Sequence, residues 1–205
     1  MMINRRQWMA GGPALATTLA AGPLMAKSLK PKSIGLQLYT VRELFAADPT
    51  GTLEKVAAIG YREVEYGGGG YDKMDHAALR KTMDRLGLTS PSLHIGYDAL
   101  NSDFDGAVKM AKTLGADTVV LPWMAEAQRN AEGWKVAVAN FSRWAERLKK
   151  AGLGFAYHNH DFEFTIKPGG TSLFDTLVAD TDPALVKIEL DLFWAVAAGE
   201  DPKAI

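Results

Sequence analysis

The chain of 205 residues contains no cysteine. Disulfide bonds, thiolate nucleophiles, zinc ribbons and iron–sulfur clusters are therefore excluded, and any metal ion must be bound by histidine, carboxylate, amide or water. An excess of positive charge is also absent, because 23 Lys and Arg stand against 24 Asp and Glu. Since no basic stripe neutralises a row of phosphates, we expect no nucleic-acid partner. The remaining composition, with 47% hydrophobic residues, is typical of a globular domain.

The amino-terminal segment has the pattern of an export signal. Arg5 and Arg6 precede an uncharged segment, residues 10–25, which contains too much glycine and proline for a membrane span of about 20 residues. The paired arginines are similar to a twin-arginine motif. We therefore predict a signal peptide over residues 1–26, and a periplasmic or otherwise exported domain over residues 27–205 with no stable membrane span after cleavage. An ordinary secretory signal or an uncleaved anchor is the alternative.

The predicted mature part alternates strand patterns with helix patterns. Six strand-like segments are spaced by about 30 residues, the length of one βα unit, and begin near residues 33, 61, 92, 118, 154 and 186. This alternation predicts an α/β fold with parallel strands and right-handed crossovers. No glycine-rich phosphate loop follows the first strand, so we favour the (β/α)8 TIM-barrel type over an open doubly wound sheet.

The predicted barrel is incomplete, because about six of its eight βα units are present and strands seven and eight are lacking. Strands one and six would then have unpaired edges, which are a liability for a globular protein. Two interpretations stay open. Either the sequence is a fragment of a longer protein, or a partner such as a second copy in a homo-oligomer covers the edges.

Candidate functional residues end several predicted strands, and the reacting groups of TIM barrels lie at the carboxyl ends of strands. His94 ends strand three, whereas His158 and His160 end strand five. Glu189 and Asp191 end strand six. Residues two apart on a strand point the same way, so imidazole and carboxylate groups of these neighbouring strands can meet. Nitrogen and oxygen ligands without sulfur predict a divalent metal ion such as Mn, Co, Zn, Mg or Fe.

Three further side chains have alternative interpretations. His94 is either functional or a hydrogen-bonded structural residue. Glu65 ends strand two before four glycines, and a solvated carboxylate in a mobile loop is an equally good interpretation. Trp194 follows the strand-six carboxylates and is placed to pack against the C–H face of a sugar ring.

The chain has three distinctive segments: GLQLYTVR at 35–42, YHNHDFEF at 157–164, and ELDLFW at 189–194 followed by AGEDP at 198–202. These segments resemble the sugar phosphate isomerase/epimerase family, the xylose-isomerase-like TIM barrels. The resemblance implies activity on sugars or their relatives, and a divalent metal ion at the barrel mouth bound by residues that end strands five to eight. Asp191 matches the ligand from strand six.

Two departures from the family pattern affect the assignment of roles. His158 stands where many relatives have Glu, so the source of the catalytic base stays open, and the family's strand-seven His and strand-eight Glu are not in the chain. We assign metal binding to His158 and Asp191, catalysis to His160, His94 and Glu189, and substrate binding to Trp194, Glu65 and Gln37.

The resemblance and the export signal together predict a function. We expect a metal-dependent sugar isomerase or epimerase that acts through an enediolate on an unphosphorylated carbohydrate or polyol derivative, since sugar phosphates are metabolites of the cytoplasm. A lyase or dehydratase acting on a keto-sugar shares the same intermediate and is one alternative. A non-catalytic carbohydrate-binding barrel is another, and as a fragment the chain itself would be inactive.

Overall fold

The computed structural model describes residues 34–205. The predicted signal peptide, residues 1–26, lies outside the described residues, as does the start of the predicted mature domain, so these domain bounds stay predictions. Within residues 34–205, every helix is too short or too polar to cross a membrane.

Six parallel strands follow one another in the order of the sequence. They are β1 (Gly35–Gln37), β2 (Glu63–Glu65), β3 (Ser92–His94), β4 (Thr118–Leu121), β5 (Gly154–His158) and β6 (Val186–Glu189). β1 pairs with β2, and β3 to β6 form a second continuous ladder. Backbone hydrogen bonds from Val64 N to Thr89 O (2.9 Å) and from His94 N to Tyr66 O (2.8 Å) connect β2 to β3. The predicted α/β fold of the TIM-barrel type, with about six βα units, is confirmed.

Helices separate the strands along the described chain. They are α1 (Arg42–Ala47), α2 (Pro49–Ile59), α3 (His76–Leu86), α4 (Tyr97–Ser102), α5 (Phe104–Leu114), α6 (Ala131–Lys150), α7 (Phe162–Thr165), α8 (Leu173–Ala179) and α9 (Leu192–Ala197). Short 3-10 turns lie at Leu38–Val41, Tyr71–Lys73, Glu126–Gln128 and Pro168–Gly170. Aspartates fix four helix starts, because the side chains of Asp48, Asp75, Asp103 and Asp191 each accept a hydrogen bond from a backbone N–H of the first turn.

The packing of α6 against β5 determines which residues of that strand face the inside of the sheet. Phe141 of α6 stacks on Tyr157 at a centroid distance of 5.2 Å, and Trp134 meets the same ring edge-on at 5.7 Å. Phe155, two residues before Tyr157, also contacts Phe141. Since side chains alternate along a strand, His158 points to the opposite, inner face.

Among residues 34–205, β1 and β6 each pair along one side only. Apolar side chains accompany both edges: Ile34 before β1 is 71% exposed, and Phe193 after β6 is 70% exposed. The unpaired edges expected from the sequence are therefore present in the described part of the chain. Both interpretations of them stay open.

Candidate metal centre

Polar side chains occupy the carboxyl ends of five strands on the inner side of the sheet. The last residues of β1 to β6 are, in chain order, Gln37, Glu65, His94, Leu121, His158 and Glu189. In parallel sheets these ends meet at one rim. The register brings β5 and β6 together there, because His158 and Glu189 are directly paired.

Glu65 belongs to this cluster and is held by three neighbours. Gln37 Nε2 donates a hydrogen bond to Glu65 Oε2 at 2.7 Å, and the Ser92 hydroxyl donates to the other carboxylate oxygen. His94 Nε2 lies 3.2 Å from Glu65 Oε2, and the Glu65 side chain is only 14% exposed. The alternative of a solvated carboxylate in a mobile loop is therefore wrong.

Glu189 joins the two imidazoles of the inner face. Its Oε1 atom lies 3.1 Å from His94 Nε2 and 3.0 Å from His158 Nδ1. The opposite edge of the His158 ring faces a second carboxylate, since Nε2 lies 3.7 Å from Asp191 Oδ2. Asp191 also begins α9, where its Oδ1 accepts a hydrogen bond from Trp194 N at 3.0 Å. His158 therefore lies between two acidic groups.

The residues present fit a divalent metal ion. One donor atom each from His94, His158 and Glu189 lies within 4.8 Å of the others. This spacing is close to that of two ligands bound about 2.1 Å from one ion, which are about 3 to 4 Å apart. Two nitrogens and a carboxylate suit zinc, manganese or cobalt. The geometry thus groups His94 and Glu189 with His158, while Asp191 lies at the other edge of the ring. The sequence pairs His158 with Asp191 as ligands, and that assignment stays a prediction.

The carboxylates determine the protonation of His94. Burial alone would lower the pKa of His94, but hydrogen bonds to Glu189 and Glu65 outweigh it and raise the pKa to about 9. Burial would also raise the pKa of Glu189, yet its hydrogen bonds to His158 and His94 hold that pKa well below the ordinary value. The cluster therefore requires positive charge, which a proton on His94 or a metal ion can supply.

His160 lies on the aromatic side of the same rim. Its ring centroid is 5.1 Å from that of His158 and 5.2 Å from that of Trp194. Burial, followed by the proximity of His158, lowers the pKa of His160 to about 4, so this ring is neutral at neutral pH. Its Nδ1 atom is enclosed and has no hydrogen-bond partner among the described residues. The structure thus brings together the predicted residues His160 and Trp194.

Asn159 is a structural element of the site that our sequence reasoning missed. The side chain is fully buried and makes two hydrogen bonds with the backbone of Asp191. Its Oδ1 accepts from Asp191 N at 2.8 Å, and its Nδ2 donates to Asp191 O at 3.2 Å. These bonds continue the pairing of β5 with β6 beyond the ladder, and so fix the position of the Asp191 carboxylate.

Glu163 is the second missed residue. It is fully buried, and its carboxylate accepts hydrogen bonds from Tyr157 Oη at 2.5 Å and from His160 N at 2.7 Å. Burial raises the pKa of Glu163 to about 7 despite these bonds. The only available signal for Asn159 and Glu163 is their place in the distinctive segment at 157–164.

Comparisons with known proteins identify the family. The model of the xylose isomerase-like TIM barrel family matches residues 53–205. The chain belongs to this family. A comparison with curated proteins found no match.

Solved structures of relatives share the fold. A sugar phosphate isomerase/epimerase from Parabacteroides distasonis is 26% identical with a TM-score of 0.71, and the match covers 85% of this chain and 71% of that one. The IOLI protein with a zinc atom is 16% identical with a TM-score of 0.62, over 84% and 67% of the two chains. A D-psicose 3-epimerase crystallised in the presence of D-fructose is 15% identical with a TM-score of 0.60, over 82% and 66%. The chain therefore spans about two thirds of the length of these relatives.

Proposed function

We propose that the protein is a metal-dependent sugar isomerase or epimerase that acts through an enediolate on an unphosphorylated carbohydrate or polyol derivative. The observation that carries this proposal is the convergence of His94, His158 and Glu189 from the ends of three strands. Neighbours in the family support it, because a sugar phosphate isomerase/epimerase and a D-psicose 3-epimerase share the fold. A zinc atom in the IOLI protein supports a metal ion.

His94, His158 and Glu189 would hold the ion, with Asp191 available at the other edge of the His158 ring. When bound, a divalent ion polarises a carbonyl group and its neighbouring hydroxyl group. His94 would hold the ion through a neutral ring, and the charge of the ion would then balance Glu65 and Glu189 in place of the proton on His94. Gln37 and Ser92 keep Glu65 oriented towards His94 in either case.

His160 is the residue best suited to move the proton of the substrate's C–H group. It is neutral at neutral pH, so it can accept that proton, and the nearby Asp191 carboxylate favours the imidazolium that forms. The electron pair of the broken C–H bond then forms the enediolate. Return of the proton by His160 to the neighbouring carbon, with transfer of the hydroxyl proton between the two oxygens, gives isomerisation. Epimerisation requires a second acid that protonates the same carbon from its other face, while His160 keeps the first proton. Trp194, packed against His160, would orient the sugar ring.

Deuterium exchange tests the proposed chemistry. The full-length protein is supplied with Mn²⁺ or Co²⁺ in D₂O, and deuterium entering a panel of keto-sugars is followed by mass spectrometry. We expect deuterium exchange with at least one sugar, and we expect a chelator or the Glu189→Gln substitution to abolish this exchange. The metal content should fall in His158→Asn and in Asp191→Asn. The matched control is His76→Asn, because His76 lies outside the cluster and bonds to the Tyr71 carbonyl. Sugar binding that ignores chelator, with no exchange, would contradict the proposal and favour a carbohydrate-binding barrel.

We also propose that the protein is exported by the twin-arginine route. The paired Arg5 and Arg6 and the uncharged segment at 10–25 support this localisation. Fusing residues 1–32 to a folded fluorescent reporter tests it. We expect the reporter in the periplasm, and in the cytoplasm when both arginines are replaced by lysine. Export that is unchanged by Arg5→Lys and Arg6→Lys would contradict the twin-arginine route.

A further inference from the structure

A guanidinium group lies beside His160 and is held by two aromatic rings. The Cζ atom of Arg129 is 4.1 Å from the ring centroid of Trp123 and 3.8 Å from that of Phe162. These two rings are nearly perpendicular, with an interplanar angle of 79°. Trp123 follows β4 and Phe162 begins α7, so this group, which we call the Arg129 corner, belongs to the rim that carries the metal centre.

Arg129 forms no salt bridge with a carboxylate among residues 34–205, although its charge acts on the buried carboxyl group of Glu163. Its single described hydrogen bond runs from Nε to the Met124 carbonyl at 3.0 Å. Three other arginines of the described chain do pair with carboxylates: Arg80 with Asp84, Arg85 with Glu54 and Arg147 with Asp105. The two terminal nitrogens of Arg129 therefore carry donors that suit an oxyanion in a bidentate arrangement.

His160 connects the Arg129 corner to the metal centre. The His160 ring meets Trp123 edge-on at a centroid distance of 4.7 Å and lies 5.1 Å from His158 on its other side. The enclosed Nδ1 atom of His160 has no partner among the described residues, and buried polar atoms in native proteins are normally hydrogen-bonded. This ring therefore lies between His158 and the Arg129 corner and carries a polar atom whose hydrogen-bonding capacity is not used within the described chain.

The two ends of this path carry opposite charge. Glu65, Glu189 and Asp191 surround the imidazoles at one end, whereas Arg129 stands at the other. An anionic group on a ligand is repelled from the carboxylates and attracted to the guanidinium. An anionic group of a ligand would therefore face Arg129 and not the three carboxylates.

We propose that Arg129 binds an oxyanion at the end of the substrate remote from the reacting carbons, so the substrate is a sugar acid or a sugar phosphate rather than a neutral sugar. This inference rests on the proposed function, which supplies the sugar. A carboxylate agrees with that function because its substrate is unphosphorylated, and a phosphate is the other source of the same chemistry.

Calorimetric titration of the full-length protein with three matched probes tests the inference: D-fructose, D-fructuronate and D-fructose 6-phosphate. We expect the wild type to bind fructuronate about tenfold or more tightly than fructose, the effect of one charged hydrogen-bonded contact. Arg129→Gln should remove this preference and leave fructose affinity within about twofold. The matched control is Arg147→Gln, because the Arg147 guanidinium also stacks on a ring, at 3.7 Å from the Phe104 centroid, but lies on α6.

The outcomes separate the two proposals. A preference for fructose 6-phosphate alone, lost in Arg129→Gln, supports the oxyanion site and contradicts the unphosphorylated substrate. If the wild type shows the anion preference but no deuterium exchange, the proposed function is contradicted and the role of Arg129 is still supported. The inference is overturned if the wild type prefers neither anion over fructose. It is also overturned if Arg129→Gln lowers the affinities for fructose and fructuronate equally. If that variant does not fold, Arg129→Lys, which keeps the charge but not the fork, should weaken fructuronate binding selectively.

Discussion

Histidine side chains on the two sides of the rim differ in their protonation. On the acidic side, Glu65 and Glu189 raise the pKa of His94 to about 9. On the aromatic side, burial lowers the pKa of His160 to about 4. Both rings are largely enclosed, so burial alone does not decide the outcome. What decides it is whether a carboxylate accepts the N–H bond.

This difference supports the proton-transfer chemistry that we propose. Groups whose environments push their pKa values apart become the donor and the acceptor of protons. In this protein the acidic side attracts cations, whereas the aromatic side keeps a neutral imidazole beside an unpaired arginine. His158, between them, contacts both Glu189 and Asp191 and links the two sides.

The largest effect should come from removing the negative charge of Glu189, whose carboxylate contacts both His94 and His158. Glu189→Gln takes away the acceptor common to His94 and His158, so we expect the affinity for Co²⁺ to fall at least about 100-fold and the pKa of His94 to fall from about 9 towards its ordinary value. Metal titration and histidine NMR measure the two changes. Glu54→Gln, at an exposed pair with Arg85, is the control. An unchanged His94 titration would show that Glu189 does not set its charge.

Glu163 makes the aromatic side sensitive to pH. Its pKa is about 7 in the folded protein because of burial, above the value of about 4.3 in an unfolded chain. A raised folded pKa contributes stability that is complete below the unfolded value and is lost as pH rises through about 7. Between pH 5 and pH 8 the free energy of unfolding should therefore fall by roughly 1 to 3 kcal/mol more in the wild type than in Glu163→Gln. Urea unfolding at several pH values measures this, and parallel curves for the two proteins would contradict it.

The fold could be predicted because its signals are local and repeated. Each strand of the described chain lies in a segment that the sequence predicts as a strand, and the apolar stripe of α6 predicts the face that packs on β5. The parallel order then follows from short connections and right-handed crossovers. The carboxyl ends of strands gave His94, His158, Glu189 and Glu65 for the same reason.

The contacts within the site could not be predicted, because they depend on side-chain direction over long sequence separations. Gln37 and Glu65 meet across two strands, and a sequence gives no information on which edge of the His158 ring faces Glu189. Asn159 and Glu163 were missed for a different reason. Their role is to bond backbone groups of Asp191 and His160, and such bonds leave no periodic pattern.

Asn159 offers a test of how firmly the two sides are joined. Asn159→Ala leaves Asp191 N and Asp191 O without their partners inside the protein, so we expect a loss of about 2 kcal/mol of unfolding free energy. Chemical denaturation measures this loss. Asn140→Ala is the control, because the Asn140 side chain donates a hydrogen bond to the Tyr97 hydroxyl and not to the backbone of Asp191. If Asn159→Ala leaves the free energy of unfolding unchanged, the two hydrogen bonds of Asn159 do not hold Asp191 in place.

The smallest expected effect sharpens the comparison on the aromatic side. Trp123→Ala removes a ring that packs edge-on against His160 at 4.7 Å and lets water approach the imidazole. Because burial is the main cause of the low pKa of His160, that pKa should rise by about one unit, while the pKa of His94 stays near 9. Histidine NMR of one sample reports both rings, so His94 is an internal control. A parallel shift of both pKa values would mean that the two sides of the rim are not electrostatically separate.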